Sequence, residues 1–217
     1  MPPPKSRITK ILKKLRAVYP DVKTQLRHKN PFELLVATIL SAQCTDRQVN
    51  AVTPKLFSRF ATPAELAAAP LKEIETLIHS TGFYHNKARH IRNCAAMLVA
   101  EYGGRVPDSL EELIRLPGVG RKTANVVLGA AFHIPGMVVD THVARISGRL
   151  ALTRAVDPVK IEFDLMELIP RTEWDDFSLR LIHLGREYCT ARRPRCPECP
   201  LGAFCPFPSR GPQQGLV

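Results

Sequence analysis

Four cysteines near the end of the chain constrain its fold more than any other feature. They are Cys189, Cys196, Cys199 and Cys205. The seventeen residues they span are too few to bury a core, but four thiolates bonded to one metal centre can order such a loop. The unequal spacing, with a single Cys-x-x-Cys pair, favours an iron–sulfur cluster, while tetrahedral zinc and a disulfide pair stay open. Cys44 and Cys94 stand alone in apolar surroundings and are expected to be small core residues.

Apolar residues recur at helical spacing over most of the remaining chain. One such segment contains Leu34, Leu35, Ile39 and Leu40. Asn30, Thr62 and Ser109 each stand three residues before a glutamate, which is typical of a helix N-terminus. Signals that end a helix lie at residues 103–104 (Gly-Gly) and 169–170 (Ile-Pro). No segment alternates between apolar and polar residues in the way that predicts a β-strand. We predict an all-α protein of about ten short helices.

Residues 133–136 (His-Ile-Pro-Gly) interrupt the helical pattern and mark a candidate domain boundary. A cleft between two helical lobes is a natural location for chemistry. The low-complexity ends, residues 1–6 and about 208–217, are expected to be disordered.

The chain is strongly basic, with a net charge of +11 and a pI near 9.7. Its basic residues are spread along the sequence, so the expected partner is a polyanion; a ribosomal, membrane-surface or DNA-binding protein fits this charge. No apolar run reaches eighteen residues, and no secretory signal follows the N-terminal charge. We therefore expect a cytosolic protein without a membrane segment.

Residues 116–124 (LPGVGRKTA) predict a tight glycine hairpin between two helices. The first helix begins after Ser109, and the second is expected over about residues 123–132. Gly118 and Gly120 let backbone N–H groups approach a phosphate without a Cβ, and the following helix N-terminus adds positive partial charge. Such a hairpin holds DNA backbone without reading sequence. A plain connecting turn uses the same residues and stays open.

Lys122 lies where the hairpin becomes a helix. We expect desolvation and the positive helix end to disfavour its ammonium form there, which is what an amine nucleophile needs. The alternative is a lysine that only binds phosphate, because any single basic residue can do so.

Asp140 follows an apolar stretch and precedes the next predicted helix. A helix N-cap is the commonest role for an aspartate in that position. The separation of eighteen positions from Lys122 to Asp140 nevertheless allows both to reach the same cleft mouth. From the pattern alone, His142 is expected to be a histidine on a helix surface.

Five motifs in order and spacing together closely resemble the endonuclease III family over nearly the whole chain. They are residues 41–46 (SAQCTD), 80–88 (STGFYHNKA), 116–124 (LPGVGRKTA), 139–145 (VDTHVAR) and the four-cysteine loop. The resemblance implies two helical domains with a helix-hairpin-helix motif and a C-terminal cluster loop. A six-helix barrel occupies residues 24–134, and residues 1–23 with 135–217 form an iron–sulfur domain with a disordered tail from 207. The cysteines then hold a [4Fe-4S] cluster.

The resemblance also implies a bifunctional DNA glycosylase and abasic-site lyase. Lys122 attacks the sugar C1′ of a flipped nucleotide, expels the base and forms a Schiff base that permits β-elimination of the 3′ phosphate. Asp140 helps to activate the lysine and offsets positive charge on the sugar, because a departing base leaves an electron-poor centre. The expected partner is double-stranded DNA with damaged pyrimidines or abasic sites, bound by a monomer near the bacterial nucleoid.

Several further residues contact DNA by this resemblance. They are Gln43, Phe83, Gly118, Gly120, Arg121, Thr123 and His142. Gln43 fills the gap left by the extruded base and Phe83 wedges beside it; the family commonly has leucine at that position. The alternatives are a polar helix-end role for Gln43, core packing for Phe83, and an N-cap role for Asp46.

Two rival functions remain. A mismatch-specific adenine glycosylase shares the fold and the cluster but lacks the nucleophilic lysine, so Lys122 argues against it. A DNA-binding module without catalysis would use the hairpin for phosphate, Asp140 as a cap and the cysteines for zinc. The colour of the purified protein distinguishes the enzyme from this second rival, because an iron–sulfur protein is brown and a zinc protein is colourless.

Overall fold

The computed structural model describes residues 3–207. Within that range the chain forms eleven α-helices and no strand, so the all-α prediction is confirmed. The helices are α1 (Lys5–Val18), α2 (Pro31–Leu40), α3 (Asp46–Arg59), α4 (Pro63–Ala68), α5 (Leu71–Ile78), α6 (Tyr84–Tyr102), α7 (Leu110–Leu113), α8 (Arg121–Phe132), α9 (Thr141–Arg149), α10 (Pro158–Leu168) and α11 (Trp174–Glu187). Short 3₁₀ helices occupy His79–Thr81, Arg171–Glu173, Cys196–Glu198 and Gly202–Phe204. None of the helices in the described range is long and apolar enough to cross a membrane.

The chain divides into two compact units. Thr24–Ile134 forms one of them and contains α2 to α8. The other combines Met1–Lys23 with Pro135–Val217 and contains α1 and α9 to α11.

The core of the 24–134 unit is built around α2, in which every residue from Phe32 to Leu40 is buried. Asn30 starts this helix by accepting a hydrogen bond from the Glu33 N–H at 2.9 Å, and Pro31 supplies a preset φ at its first position. Helix α8 packs against α2, so the residues that follow the glycine hairpin rest on the most buried helix of this unit. Cys94 is a buried core residue here, as predicted, and burial raises its pKa to about 12.

The second unit packs α9 against α11, which also contacts α1. Its core includes Ile11, Leu15, Phe177 and Leu181, all almost fully buried. The buried Arg180 donates a hydrogen bond to the Tyr19 carbonyl at 3.0 Å. It also forms ion pairs with Glu173 and Asp176, which precede it in the chain. These partners compensate a charge that would otherwise be costly to bury. Arg180 thereby ties the N-terminal segment to α11.

The predicted helix boundaries are largely confirmed. Asn30, Thr62 and Ser109 each cap a helix through the N–H of the glutamate three residues later. Helix α6 ends at Gly103 with φ of 58°, and α10 ends before residues 169–170. The expectation of disorder through residue 6 is wrong in part, because α1 begins at Lys5 and buries an apolar face.

Disorder was also expected at residues 1–2 and 208–217, and these lie outside the described residues. Phe207, also assigned to that tail, lies under the Arg149 guanidinium at 4.4 Å from the ring centre.

Candidate functional site

The glycine hairpin connects α7 to α8 through residues 114–120. Leu116 and Val119 are buried and anchor the turn in the core, and the Val119 N–H donates to the Leu116 carbonyl at 3.1 Å. Helix α8 begins at Arg121, two residues earlier than predicted, with Gly120 as its N-cap. Because glycine has no side chain, no side-chain cap occupies this end of the helix.

The two glycines of the hairpin are needed for different reasons. Gly118 has φ of 80°, and a Cβ there would lie 2.8 Å from the Cβ of His90, so both conformation and packing exclude a larger residue. Gly120 has an ordinary φ of −97°, and a Cβ there would meet no atom within 4 Å. The protein itself therefore imposes no steric need for glycine at 120, which is consistent with close approach of a ligand.

Lys122 is the second residue of α8, and its side chain is exposed. The expected desolvation of this lysine is therefore wrong for the protein alone, because the start of α8 faces solvent while the buried residues of the helix begin at Ala124. Arg121 and Thr123 on either side are half-buried.

Asp140 is the N-cap of α9, as the local pattern predicted. Its Oδ1 accepts hydrogen bonds from the N–H groups of His142 and Val143, both at 2.8 Å. Its Oδ2 accepts no hydrogen bond from any described residue. One carboxylate oxygen thus fixes the side chain and the other is available for a further interaction.

His142 is half-buried rather than lying on an open helix surface. Its Nδ1 lies 3.1 Å from Nη2 of Arg145, one turn along α9. A Cβ at Gly185 of α11 would come within 2.5 Å of the same Nδ1. Glycine at 185 therefore lets α9 and α11 approach closely, and their contact orients the imidazole.

Gln43 and Phe83 share an unusual backbone conformation, with φ of 49° in both residues. Gln43 is exposed and follows the end of α2, so it is the polar helix-end residue that the local pattern allowed. Phe83 is 66% exposed at the start of α6, and core packing as its alternative role is wrong. Non-glycine residues with positive φ concentrate at functional sites because they are strained.

A hydrogen bond joins the helix that follows Gln43 to the 3₁₀ helix that precedes Phe83. Nε2 of Gln48, in the first turn of α3, donates to Oγ of Ser80 at 2.6 Å. The helix that contains Gln48 is capped by Thr45 and not by Asp46, because the Thr45 hydroxyl accepts the Gln48 N–H at 3.2 Å. The proposed N-cap role of Asp46 is thus wrong by one residue.

All four cysteines of the C-terminal segment line one small cavity. The other lining residues are Arg149, Tyr188, Pro194, Gly202 and Phe207. Burial raises the pKa of the Cys199 and Cys205 thiols, so a metal must displace protons to bind them. No group of three or more His, Cys, Asp or Glu side chains within residues 3–207 is placed to hold a single metal ion. The four thiols line a shared space, and four thiolates are the donor set that a [4Fe-4S] cluster takes.

Two arginines on α9, which sequence reasoning did not single out, hold the first cysteine in place. Arg145 donates to the Cys189 carbonyl from Nε at 3.2 Å and from Nη2 at 2.9 Å. Arg149 donates from Nη1 to the Cys189 Sγ at 3.2 Å and to the Thr190 carbonyl at 2.8 Å. Their spacing of four residues on one helix was the available signal, since it puts both on one face.

Comparison with known families places the two parts of the chain separately. Residues 36–171 match the HhH-GPD superfamily of base excision DNA repair proteins. Residues 189–205 match the iron–sulfur binding domain of endonuclease III. The first match covers more than half of the chain, and the second begins and ends at the outer cysteines.

Relatives match over nearly their full length. The chain is 54% identical to the endonuclease III of Synechocystis over 93% of both proteins, and 46% identical to that of Bacillus subtilis over 95% of this chain and 94% of the relative. A non-covalent endonuclease III–DNA complex and a trapped endonuclease III–DNA covalent intermediate each match with a TM-score of 0.91 at 47% identity, over 96% of this chain and 98% of theirs. A thermostable thymine-DNA glycosylase shares the fold at 22% identity, with a TM-score of 0.85.

These matches confirm the resemblance that the five motifs indicated. The protein belongs to the endonuclease III family of the HhH-GPD superfamily: it is a bifunctional DNA glycosylase and abasic-site lyase of base excision repair, and it carries a [4Fe-4S] cluster.

Proposed function

We propose that Lys122 is the nucleophile of this enzyme and that its substrates are oxidised pyrimidines in duplex DNA. The observation that carries the proposal is the position of Lys122 at an uncapped helix N-terminus, directly after the glycine hairpin. Its exposed amine can reach a nucleotide bound outside the protein surface.

The chemistry follows from an amine at that position. The nitrogen lone pair of Lys122 attacks C1′, and the bond between C1′ and the base breaks, so the base leaves with the bonding electron pair and takes up a proton. Opening of the sugar ring then gives a protonated Schiff base between Lys122 and C1′. Loss of a C2′ proton expels the 3′ phosphate by β-elimination, and hydrolysis of the imine restores the lysine.

Asp140 supplies the negative charge that this reaction requires. Its fixed Oδ1 holds the carboxylate in one orientation, while Oδ2 has no partner among the described residues. A preoriented carboxylate stabilises the electron-poor sugar and accepts a proton from the attacking amine.

The hairpin holds the DNA backbone. Gly118 shapes the turn, Gly120 allows close approach, and the first N–H groups of α8 bind a phosphate together with Arg121 and Thr123. His142, oriented by Arg145, is a further DNA contact. With a net charge of +11, we expect affinity for DNA to fall steeply as salt rises, and a flat response in a binding titration would contradict this electrostatic account.

Gln43 and Phe83 enter the duplex when the damaged nucleotide leaves it. Both are exposed, and both are held at positive φ, the kind of strain found at ligand-contacting sites. Gln43 fills the space of the extruded base through its polar amide, and the Phe83 ring stacks as a wedge. The aromatic ring in place of the leucine common in the family offers a larger stacking surface to the opposite base.

Cys189, Cys196, Cys199 and Cys205 are the proposed ligands of the [4Fe-4S] cluster. Their common cavity and the short 3₁₀ helices between them support this assignment. When bound, the cluster supplies four metal–thiolate bonds that order the segment. The surrounding residues do the rest: Arg149 donates to one sulfur, and Arg145 and Arg149 tie the segment to α9.

The domain arrangement, oligomeric state and location complete the proposal. Residues 24–134 are the barrel domain with the hairpin, and residues 1–23 with 135–217 are the iron–sulfur domain. The enzyme acts as a monomer on double-stranded DNA that contains damaged pyrimidines or abasic sites. It works in the bacterial cytoplasm, at the nucleoid.

Borohydride trapping tests the nucleophile directly. The purified protein and its Lys122→Ala variant are incubated with duplex DNA that contains one thymine glycol, and borohydride reduces any Schiff base to a stable amine. We expect a covalent complex with the unmodified protein only. An equal complex with Lys122→Ala would contradict the assignment, and no complex with thymine glycol or an abasic site would point to a glycosylase without lyase chemistry.

A further inference from the structure

Lys87 is a buried lysine in the first turn of α6, with 4% of its surface exposed. Its Nζ donates a hydrogen bond to the Thr81 carbonyl at 2.8 Å, and no carboxylate in residues 3–207 forms an ion pair with it. Burial lowers the pKa of Lys87 below its usual range. Burying an ammonium group without a counter-charge is unfavourable, so this residue requires an explanation.

The hydrogen bonds of Lys87 converge on the turn that precedes α6. Its ammonium binds the Thr81 carbonyl, and its own backbone N–H donates to the Phe83 carbonyl at 3.1 Å. Gly82, between these two carbonyls, has φ of 68°, and Phe83 has φ of 49°. Glycine adopts positive φ without cost, whereas Phe83 is strained in this conformation, which persists only where its surroundings hold it. The bond to Phe83 is the first i→i−4 bond of α6, so the lysine side chain itself holds the turn through the carbonyl that precedes Gly82.

The segment that precedes α6 is also joined to α3. Nε2 of Gln48 donates a hydrogen bond to Oγ of Ser80 at 2.6 Å, one residue before the carbonyl that Lys87 binds. Lys87 and Gln48 thus both hold the segment that leads into Phe83.

We propose that Lys87 is a positioning residue: through the Thr81 carbonyl it holds Phe83 in the exposed, left-handed conformation from which the ring enters DNA. The inference rests on the proposed wedge role of Phe83. The alternative is a lysine that only stabilises the fold, and it makes a different prediction, because general destabilisation does not depend on the side chain present at position 83.

A double-mutant cycle separates the two roles. The proteins are the unmodified enzyme, Lys87→Met, Phe83→Ala and the double variant, with Ile91→Val on the same helix as a control for core destabilisation. Each is assayed on duplex DNA with one thymine glycol, which requires base extrusion, and on single-stranded DNA with an abasic site, which requires only the lyase chemistry. Thermal unfolding of each protein is measured alongside.

We expect Lys87→Met to slow removal of thymine glycol about tenfold, because the strained turn relaxes when its anchor is lost. Cleavage of the single-stranded abasic site should stay within about twofold of the unmodified enzyme, as should both activities of Ile91→Val. In the Phe83→Ala background, Lys87→Met should change duplex activity by no more than about twofold. Lys87→Gln, too short to reach the Thr81 carbonyl, replaces Lys87→Met if the latter does not fold.

Three results would overturn the inference, and they differ in what else they affect. In the first, Lys87→Met slows duplex activity tenfold even in the Phe83→Ala background. In the second, Lys87→Met leaves duplex activity unchanged while Phe83→Ala impairs it. Either result removes the positioning role of Lys87 and leaves the wedge role of Phe83 intact. Unchanged activity of Phe83→Ala removes the wedge role itself, and the inference falls with it.

Discussion

The N-termini of α8 and α9 differ in the residue at the N-cap position. Helix α8 begins after Gly120 and has no side-chain cap, while α9 begins after Asp140, whose Oδ1 accepts two N–H groups. A helix N-terminus carries unsatisfied donors and positive partial charge in either case. The residue at the N-cap decides whether those donors remain available for a ligand or are used within the protein.

The difference matches the two tasks proposed for these ends. At α8 an external phosphate can take the place of a cap, directly beside Lys122. At α9 the donors hold a carboxylate that is itself needed for chemistry, and only one of its oxygens is used in capping.

Replacement of Lys122 has the largest expected effect. Lys122→Ala and Lys122→Arg should both lose thymine glycol removal by more than about a thousandfold, because neither retains the amine that attacks C1′. Single-turnover assays measure this loss. Lys122→Arg keeps the positive charge, so it should bind DNA more tightly than Lys122→Ala. Substantial turnover by Lys122→Arg would mean that the lysine only binds phosphate.

Asp140→Asn tests the charge at the second helix end without removing its cap. Asparagine accepts the same N–H groups, so thermal stability should change little, while turnover should fall about 100- to 10,000-fold through loss of the carboxylate. Asp140→Ala is the matched control, because it also loses the cap and should be destabilised by about 1 kcal/mol. If Asp140→Asn retained full turnover, Asp140 would be a cap and nothing more.

Alanine substitutions at Gly118 and Gly120 should distinguish a glycine that the turn itself requires from one that only lets DNA come close. Gly118→Ala places a Cβ against His90 at positive φ, and we expect a loss of about 1 to 3 kcal/mol in the free energy of unfolding. Gly120→Ala meets no atom within 4 Å, and since alanine is only a poorer N-cap than glycine the loss should stay below about 1 kcal/mol. Denaturant unfolding measures both. Equal losses would show that Gly120 also has a structural role.

The sequence predicted those parts of the fold that depend on local chemistry. The three N-caps at Asn30, Thr62 and Ser109 were identifiable because each involves a side chain and an N–H three residues away. The cap at Asp140 was identifiable for the same reason. The family resemblance rested on motifs of this local kind, and comparison with known proteins confirmed it.

Features that depend on tertiary packing could not be predicted in this way. A lysine in the first turn of a helix normally faces solvent, and nothing near Lys87 in the sequence indicates that it is buried beneath the Thr81 carbonyl. The desolvation expected at Lys122 was wrong because pattern alone does not say which side of a helix start faces solvent. The exposure of Phe83 depends on positive φ at Gly82 and at Phe83 itself, and only the glycine signals it.

Giving α8 the kind of cap that α9 has should produce the smallest effect and test the comparison most directly. Gly120 has the extended conformation of an N-cap and open space around its missing Cβ, so Gly120→Asp should fit and stabilise the protein by a few tenths of a kcal/mol. The new carboxylate would occupy the N–H groups proposed to bind phosphate and repel it, so affinity for duplex DNA should fall about tenfold. Gly120→Asn caps without charge and separates competition for the donors from repulsion. If Gly120→Asp bound DNA as tightly as the unmodified protein, the open end of α8 would not be a phosphate site, and its missing cap would have to be explained by the folding of the hairpin alone.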